Sequence, residues 1–382
     1  MIPGTREGGA VIVAARRTAI GTAGRGFASH PVDALAAPVL EEVARLVAPL
    51  GLPIDDVVLG NCMGPGGDVA RVSALRAGLG AEVPGVTVDR QCGSGLDAVL
   101  QAGSRVRAGD ARLVLAGGAE SASTAPHRHW PGTGERYTRA PFAPAGLPDP
   151  DMGPAADDLA ARRGITRERQ DAWAARSHAL AASARDAGVF DDEIVAVDGV
   201  DRDDRPRAGL DTTRLARFAP AFSSRPDATV TAGNSCGFSD GAAALAVTTE
   251  RLARELGLPA LRIRAAAVAG TDPALPGLGA APAARAALVR GGLGARELGF
   301  VEITEAFAAQ VLAVGDDLGI DEELISADGG AIALGHPWGA SGAVLLVRLA
   351  ARMAASDDPR PGLAACSIGG GQGVAMIGER VS

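Results

Sequence analysis

The sequence predicts an α/β fold in which two similar halves converge on one site. Short β-type apolar runs alternate with amphipathic helical stretches, which implies a mainly parallel sheet flanked by helices. The same rhythm begins again in the second half of the 382-residue chain. Each half also sets one reactive side chain among glycines just before a helix: Cys92 in the first, His336 in the second. No strict sequence repeat accompanies this, so the halves are related by pattern rather than by identity.

The elements follow in order. GAVIVAARR, residues 9–17, is a strand. PVDALAAPVLEEVARLVAPLG carries its apolar residues at helical spacing and is closed by Gly51. DDVVLGNCM is a second strand with a loop after it. GVTVDRQCGSGLDAVLQAGSRVRAG reads as strand, tight turn and helix, and ARLVLAGGAES as a strand. After Glu120 the composition shifts: STAPHRHWPGTGERYTRAPFAPAGLPDPDMGP is dense in Pro, Gly and Arg and reads as a long irregular excursion. A helix follows in TRERQDAWAARSHALAASARDAG, with Thr166 as its N-cap. TVTAGNSCGFSDGAAALAVTTERLAREL reads as strand, loop and helix. The second half repeats the pattern in LRIRAAAVAG, LGFVEITEAFAAQVLAVGDDLG, GGAIALGHPWGASGAVLLVRLAARMA and GLAACSIGGGQGVAMIGE, with a strand-to-helix turn expected at His336.

The length allows two or three domain-sized units and a large core. Hydrophobic residues at 47% and charged residues at 21% are ordinary for a globular chain. Aromatics are only 3%, so Ala, Val, Leu and Ile must build the core. All 37 basic residues are arginines. The net charge of −8 argues against a nucleic-acid surface. A few local arginines and backbone N–H groups would still suffice for an anionic ligand. The cysteines, Cys62, Cys92, Cys236 and Cys366, are far apart and form no CxxC pair, so neither a zinc site nor a disulfide framework is indicated, and each reads as a small buried hydrophobe. No apolar run is long enough to span a bilayer and no signal-peptide pattern opens the chain, so a cytoplasmic, non-membrane protein is expected.

Three stretches carry chemistry. In DRQCGSGLDAV, Cys92 precedes a helix, whose dipole and free N–H groups would lower the thiol pKa. Gly93 and Gly95 permit a tight turn and the close approach of a ligand. A buried structural cysteine fits that pattern equally well. His336 lies in GGAIALGHPWGASGA, where no bulky neighbour blocks the imidazole, and histidine suits a base for a thiol near neutral pH. An isolated histidine is more often a core residue; the paired Gly-rich settings of Cys92 and His336 shift the reading towards catalysis. In CSIGGGQG, Gly369–Gly371 can present N–H groups to an oxyanion, or form a plain turn.

Together these stretches resemble the thiolase family over almost the whole chain. VDRQCGSGLDAV is similar to its acylated-cysteine motif, and TVTAGNSCGFSDGAAAL, TEAFAAQ, GGAIALGHPWGASGA and SIGGGQG to its other signatures, in order; AGGAESASTAP and ITRERQDAWAARS match as well. The resemblance implies two βαβαβαββ halves in five layers, αβαβα, with an inserted loop domain. Its boundaries would be 1–117 plus 228–258 for the N-terminal half, 118–227 for the insertion and 259–382 for the C-terminal half. It implies acyl-CoA substrates, no permanently bound cofactor beyond the coenzyme A thioester itself, and a homodimer or homotetramer. It also implies ping-pong chemistry: a cysteine takes an acyl group, and a second thioester then condenses with it as an α-carbanion, or the reverse thiolysis runs. Carried over by motif, Cys92 is the nucleophile and His336 its activator and later a holder of the enolate oxygen. The N–H groups of Cys92 and Gly369 form the oxyanion hole, and Arg207 lines the CoA nucleotide site.

The chain departs from the family pattern where the second half-reaction is run. The family's second cysteine, two residues before the GGG run, is Ser367 here, with Cys366 one residue earlier. Adjacent strand residues face opposite ways, so Cys366 is expected to point away from the site unless a bulge re-aims it. Thr304 stands where Asn or His opens the NEAF motif, Cys236 replaces a pantetheine-contacting serine, and the loop-domain HMG is DMG, bringing Met152 beside Asp151. Three readings follow: a Claisen-type thiolase with Cys366 re-aimed or another residue as base, an acyltransferase delivering the Cys92-bound acyl group to a different nucleophile or a decarboxylating partner, and a non-catalytic thiolase-like subunit. The retained Cys92 and His336 count against the last.

Overall fold

In the computed structural model, which describes residues 9–381, the first half runs β1 (Ala10–Thr18), α1 (Val32–Val47), β2 (Asp56–Gly60), α2 (Val69–Arg76), β3 (Gly85–Val88), α3 (Ser94–Ala108) and β4 (Leu113–Ser121). The Pro/Arg-rich excursion follows, then α4 (Met152–Arg163), α5 (Arg167–Asp186) and the strand β5 (Ser239–Thr249). The second half comprises β6 (Ala260–Gly270), α6 (Ala280–Gly291), β7 (Phe300–Ile303), α7 (Ala308–Leu318), α8 (Trp338–Ala354), β8 (Gly362–Ile368) and β9 (Gln372–Val381). Residues 1–8, part of the expected N-terminal half, lie outside the described residues.

One sheet connects the halves in the order β7-β8-β9-β6-β1-β5-β4-β2-β3. It joins at β1 and β6, antiparallel over Val11↔Arg262 and Ile12↔Leu261. Outward from that seam, β5, β4 and β2 answer β9, β8 and β7. The counterpart of β3 is reduced to one bridge, Val301↔Ile325. Helices α3 and α8 fill the space between the two halves, packing Leu96, Val99 and Leu346 against Leu245 and Val247 on one side and Ile368 and Met376 on the other. Helices α1 and α2 cover the far face of the first half, and α6 and α7 that of the second. The layers are therefore αβαβα, as expected.

Two local expectations are corrected. The alanine-rich GAAALAV is strand β5, not part of a helix; the helix after it is only Glu250–Glu255. Alanine favours helices in isolation, but this segment lies between β1 and β4 with a helical layer on each side, and small side chains fit that doubly buried place. Conversely, no strand leads into His336: Ala331–Leu334 is a helical turn between Gly330 and Gly335. The Glu305 carboxylate accepts the Ile332 N–H at its start.

Glycines bring the helix ends together. A Cβ on Gly95 would lie 2.8 Å from the Gly339 carbonyl and from the Ala343 nitrogen, and one on Gly342 would lie 2.5 Å from the Leu96 nitrogen. Helices α3 and α8 thus touch backbone to backbone in their first turns. Gly95 and Gly339 follow Cys92 and His336 by the same short interval, so the contact draws both side chains to one end of the middle layer.

Arg17 ties the segment after α5 to β1. Fully buried, it bonds Glu193 at 2.8 Å and forks onto Asp203 at 2.8 and 2.9 Å, while Arg348 holds the other Glu193 oxygen at 2.6 Å. Removing one partner of such a network strands buried charge. Arg17→Met should therefore destabilise the protein by about 3–5 kcal/mol, read as a lower urea midpoint at unchanged slope.

Candidate active site

Cys92 stands one residue ahead of Gly93, the N-cap of α3, and is part-exposed. The N–H groups of Cys92 itself and of Gly369, the two expected to form the oxyanion hole, both act to favour a thiolate at Cys92. Burial nevertheless pushes the Cys92 thiol up to about 12, with Glu120 and Asp89 adding to the rise and the two N–H groups opposing it. The direction is opposite to the lowering expected from the helix end: desolvation of a thiolate outweighs the favourable backbone N–H groups. Gly369 owes its place to the β8–β9 turn, and the Phe142 ring from the excursion covers it so closely that a Cβ would meet the ring at 2.6 Å.

His336 is buried ahead of α8. Its Nδ1 is 2.6 Å from the Ser341 hydroxyl, five residues on, and its N–H reaches the Ser239 hydroxyl at 3.2 Å. Its Nε2 is buried without a partner. With the proton on Nδ1 and donated to Ser341, Nε2 is a free acceptor. Burial holds the imidazole down at about 4, so it is neutral at ordinary pH. Thiol and imidazole are thus both uncharged at neutral pH.

The other expected residues separate. On β8, Cys366 shares a face with Ile368 in the middle layer; it is 0% exposed, lies 3.1 Å from the Thr304 hydroxyl, and feels the charge of a Cys92 thiolate. Ser367 faces the other way. Its hydroxyl donates to the Gly277 carbonyl at 2.7 Å and accepts from the Ala280 N–H at 3.0 Å and the Gln310 amide at 3.4 Å, all on the outer helical side. The alternation along the strand holds, but the expected assignment of faces is reversed, and no bulge is needed. The parallel pairing of β7 with β8 sets this, because it puts Thr304, just past β7, beside Cys366.

Cys236 is part-exposed, its N–H bonded to the Ala306 carbonyl at 3.0 Å, and burial pushes its thiol up to about 12. Cys62, Cys236 and Cys366 all feel Cys92, so cysteines scattered along the sequence gather at one place, and only Cys366 is the fully buried hydrophobe expected of each. Arg207 is exposed, and Met152 opens α4 half-buried. Sequence reading missed Phe142, Cys62, Ser341 and Arg205. Ser341 was within reach, five residues past His336 in the same motif; Phe142 sits in an irregular stretch with no periodicity to place it.

The comparisons decide the family. A thiolase N-terminal domain matches residues 10–251 and a thiolase C-terminal domain residues 258–380. The chain belongs to the thiolase family. This thiolase is 43% identical to an acetyl-CoA acetyltransferase of Pseudomonas aeruginosa, over 96% of this chain and 98% of that one, and 41% identical to an acetyl-CoA acetyltransferase of Escherichia coli, over 97% and 99%. The Bacillus anthracis acetyl-CoA acetyltransferase crystal structure superposes with a TM-score of 0.91 at 36% identity, covering 99% of this chain and all of that one. As a thiolase the chain is an acyltransferase enzyme. Among the described residues no helix is long and apolar enough to cross a membrane.

Proposed function

We propose that this thiolase carries an acyl group from an acyl-CoA as a thioester on Cys92 and exchanges it with a second CoA thioester, by Claisen condensation in one direction and thiolysis of a 3-ketoacyl-CoA in the other. What supports this is the backbone contact between α3 and α8, which sets Cys92 and His336 at the same end of the middle layer, with the Cys92 and Gly369 N–H groups both favouring a thiolate there. In the first half-reaction Cys92 sulfur bonds the acyl carbon, its proton passes to His336 Nε2, and the departing CoA sulfur takes that proton. The N–H groups of Cys92 and Gly369 hold the oxyanion. Arg207, Cys236 and Met152 remain the residues assigned to CoA and its pantetheine arm. Cytoplasmic location stays the expectation of the sequence reading, and assembly into a dimer or tetramer that of the family resemblance.

The second half-reaction is assigned to Cys366 rather than Ser367. Burial pushes Cys366 up to about 12, so its thiol is protonated and suits the donor that quenches the α-carbanion in thiolysis; in reverse, its thiolate is a strong base for the α-proton. Thr304 steadies that sulfur. The delivery of the acyl group to another nucleophile is the competing reading.

Incubation with acetyl-CoA should add one acetyl group to Cys92, located by peptide mass spectrometry. No adduct from a panel of acyl-CoAs would sink the reading. In D₂O the acetylated enzyme should exchange the α-protons of acetyl-CoA. Cys366→Ala should slow that exchange by roughly 10²-fold or more, while Ser367→Ala should leave it nearly unchanged. Equal effects of the two, or exchange that survives both, would point to the competing reading.

A further inference from the structure

Arg205 is a cation without a counter-ion. The residues before it are engaged elsewhere: Asp203 binds Arg17 and the Ile20 N–H, and Asp204 binds the N–H and hydroxyl of Thr22. These contacts fix the backbone that presents Arg205. Its Nε is shut off from solvent and has no partner, and its Nη2 makes one long bond, 3.4 Å, to the Ile332 carbonyl. Its Nη1 lies directly over Gly237, where any Cβ would overlap it. Gly237 in turn gives its carbonyl to the His336 N–H at 3.4 Å, and its neighbour Cys236 feels both Arg205 and Cys92. His178 of α5, 3% exposed with an unpartnered Nδ1, lies near enough to feel the charges of Arg205 and Arg207.

Arg205 is half-buried overall, but leaving its shielded Nε unfilled is costly, and a native protein retains such a group where something else fills it. A guanidinium fork matches a two-oxygen anion. We propose that Arg205, with His178 beside it, is the receptor for an anionic oxygen pair carried by the acyl-CoA substrate, and that this anion is a carboxylate at the far end of the acyl group. Both the carboxylate of a dicarboxylic acyl chain and a phosphate of CoA have the chemistry. The position favours the carboxylate. Arg207 is exposed and suits phosphates at the rim, whereas Arg205 lies inward, against the turn that holds His336 and next to a thiol within the field of Cys92. The substrate class is then the CoA thioesters of dicarboxylic acids, a refinement that rests on the acyl transfer proposed above.

The test compares the full-length protein with R205M and R205K on succinyl-CoA, acetyl-CoA and the corresponding pantetheine thioesters, which lack the nucleotide phosphates. R205M should lower kcat/KM for both succinyl thioesters by roughly 10²-fold, spare both acetyl thioesters, and be partly rescued in R205K. A loss shared by both CoA esters but absent from both pantetheine thioesters would assign the anion to CoA and overturn the carboxylate. No loss anywhere, or an equal loss on all four, would overturn the receptor itself. Calorimetry of succinyl-CoA on the Cys92→Ala protein, with and without R205M, reads the receptor without acyl transfer. Weaker binding there supports it even where acylation of the wild type fails, and unchanged binding overturns it.

Discussion

Cys92→Ala should abolish acyl transfer. The variant should give no adduct with acetyl-CoA by intact mass, and turnover should fall by roughly 10⁴-fold or more. The size follows from the surroundings, because no neighbouring thiol is placed to take over. Cys366 is fully buried on the strand behind, and burial raises the thiols of Cys62 and Cys236 as it does that of Cys92. At Cys92 two backbone N–H groups, its own and that of Gly369, favour the thiolate. The fold should survive, since the side chain is part-exposed and lies just outside α3, so the urea midpoint should move little. Cys92→Ser is the sharper probe. It keeps a group that can accept the same two N–H bonds, but an alkoxide is a far less accessible nucleophile at neutral pH, so transfer should remain nearly absent. An adduct surviving on Cys62 or Cys236 in either variant would remove Cys92 as the nucleophile.

What could be read from the sequence is what local chemistry decides. Amphipathic spacing and a closing Gly51 mark α1, and Thr166 caps α5 with its hydroxyl on the Arg169 N–H. The alternation of elements predicts the layered α/β architecture but not the pairing: the sheet, expected to be mainly parallel, is mixed, with β1, β5, β6 and β9 joined to their neighbours antiparallel. Tertiary placement decides the rest. Alanine-rich β5 is a strand only because β1 and β4 flank it. The assignment of faces at Cys366 and Ser367 depended on which side of β8 is the inner one, and nothing local records that; it follows from Thr304 beyond the parallel neighbour β7 and from the α6 end that captures the serine. The Cys92 thiol was misjudged for the same reason. The sequence shows a helix end, but not how much water the fold removes from the sulfur. Arg205 shows the limit most plainly, since an arginine in DDRPRAG reads as a solvated loop residue until its neighbours are found to be engaged elsewhere.

His336→Gln should slow acylation of Cys92 by roughly 10²–10⁴-fold while leaving acyl-CoA binding nearly intact, because it removes the proton acceptor and keeps a polar side chain of similar reach. The pH behaviour distinguishes this from simple damage. Burial holds His336 at about 4, below the usual 6.5, so Nε2 stays unprotonated well into acid. The wild-type acylation rate should therefore hold through pH 6 and 5 and fall only as the pH approaches 4; an acid limb centred near 6.5 would contradict a buried neutral imidazole. The same shift has a stability side. Between the two pKa values the unfolded chain binds a proton that the folded one refuses, so folding weakens as pH falls through that window and is fully supported above it. His178, also held at about 4 by burial, acts in the same direction. Each histidine should account for about 3 kcal/mol of stability lost between roughly pH 6.5 and 4. His336→Gln should remove its share, so the variant's urea midpoint should fall less steeply on acidification than that of the wild type. A variant that lost activity yet kept the full acid sensitivity would show that His336 is not the neutral buried base that the arrangement around Cys92 requires.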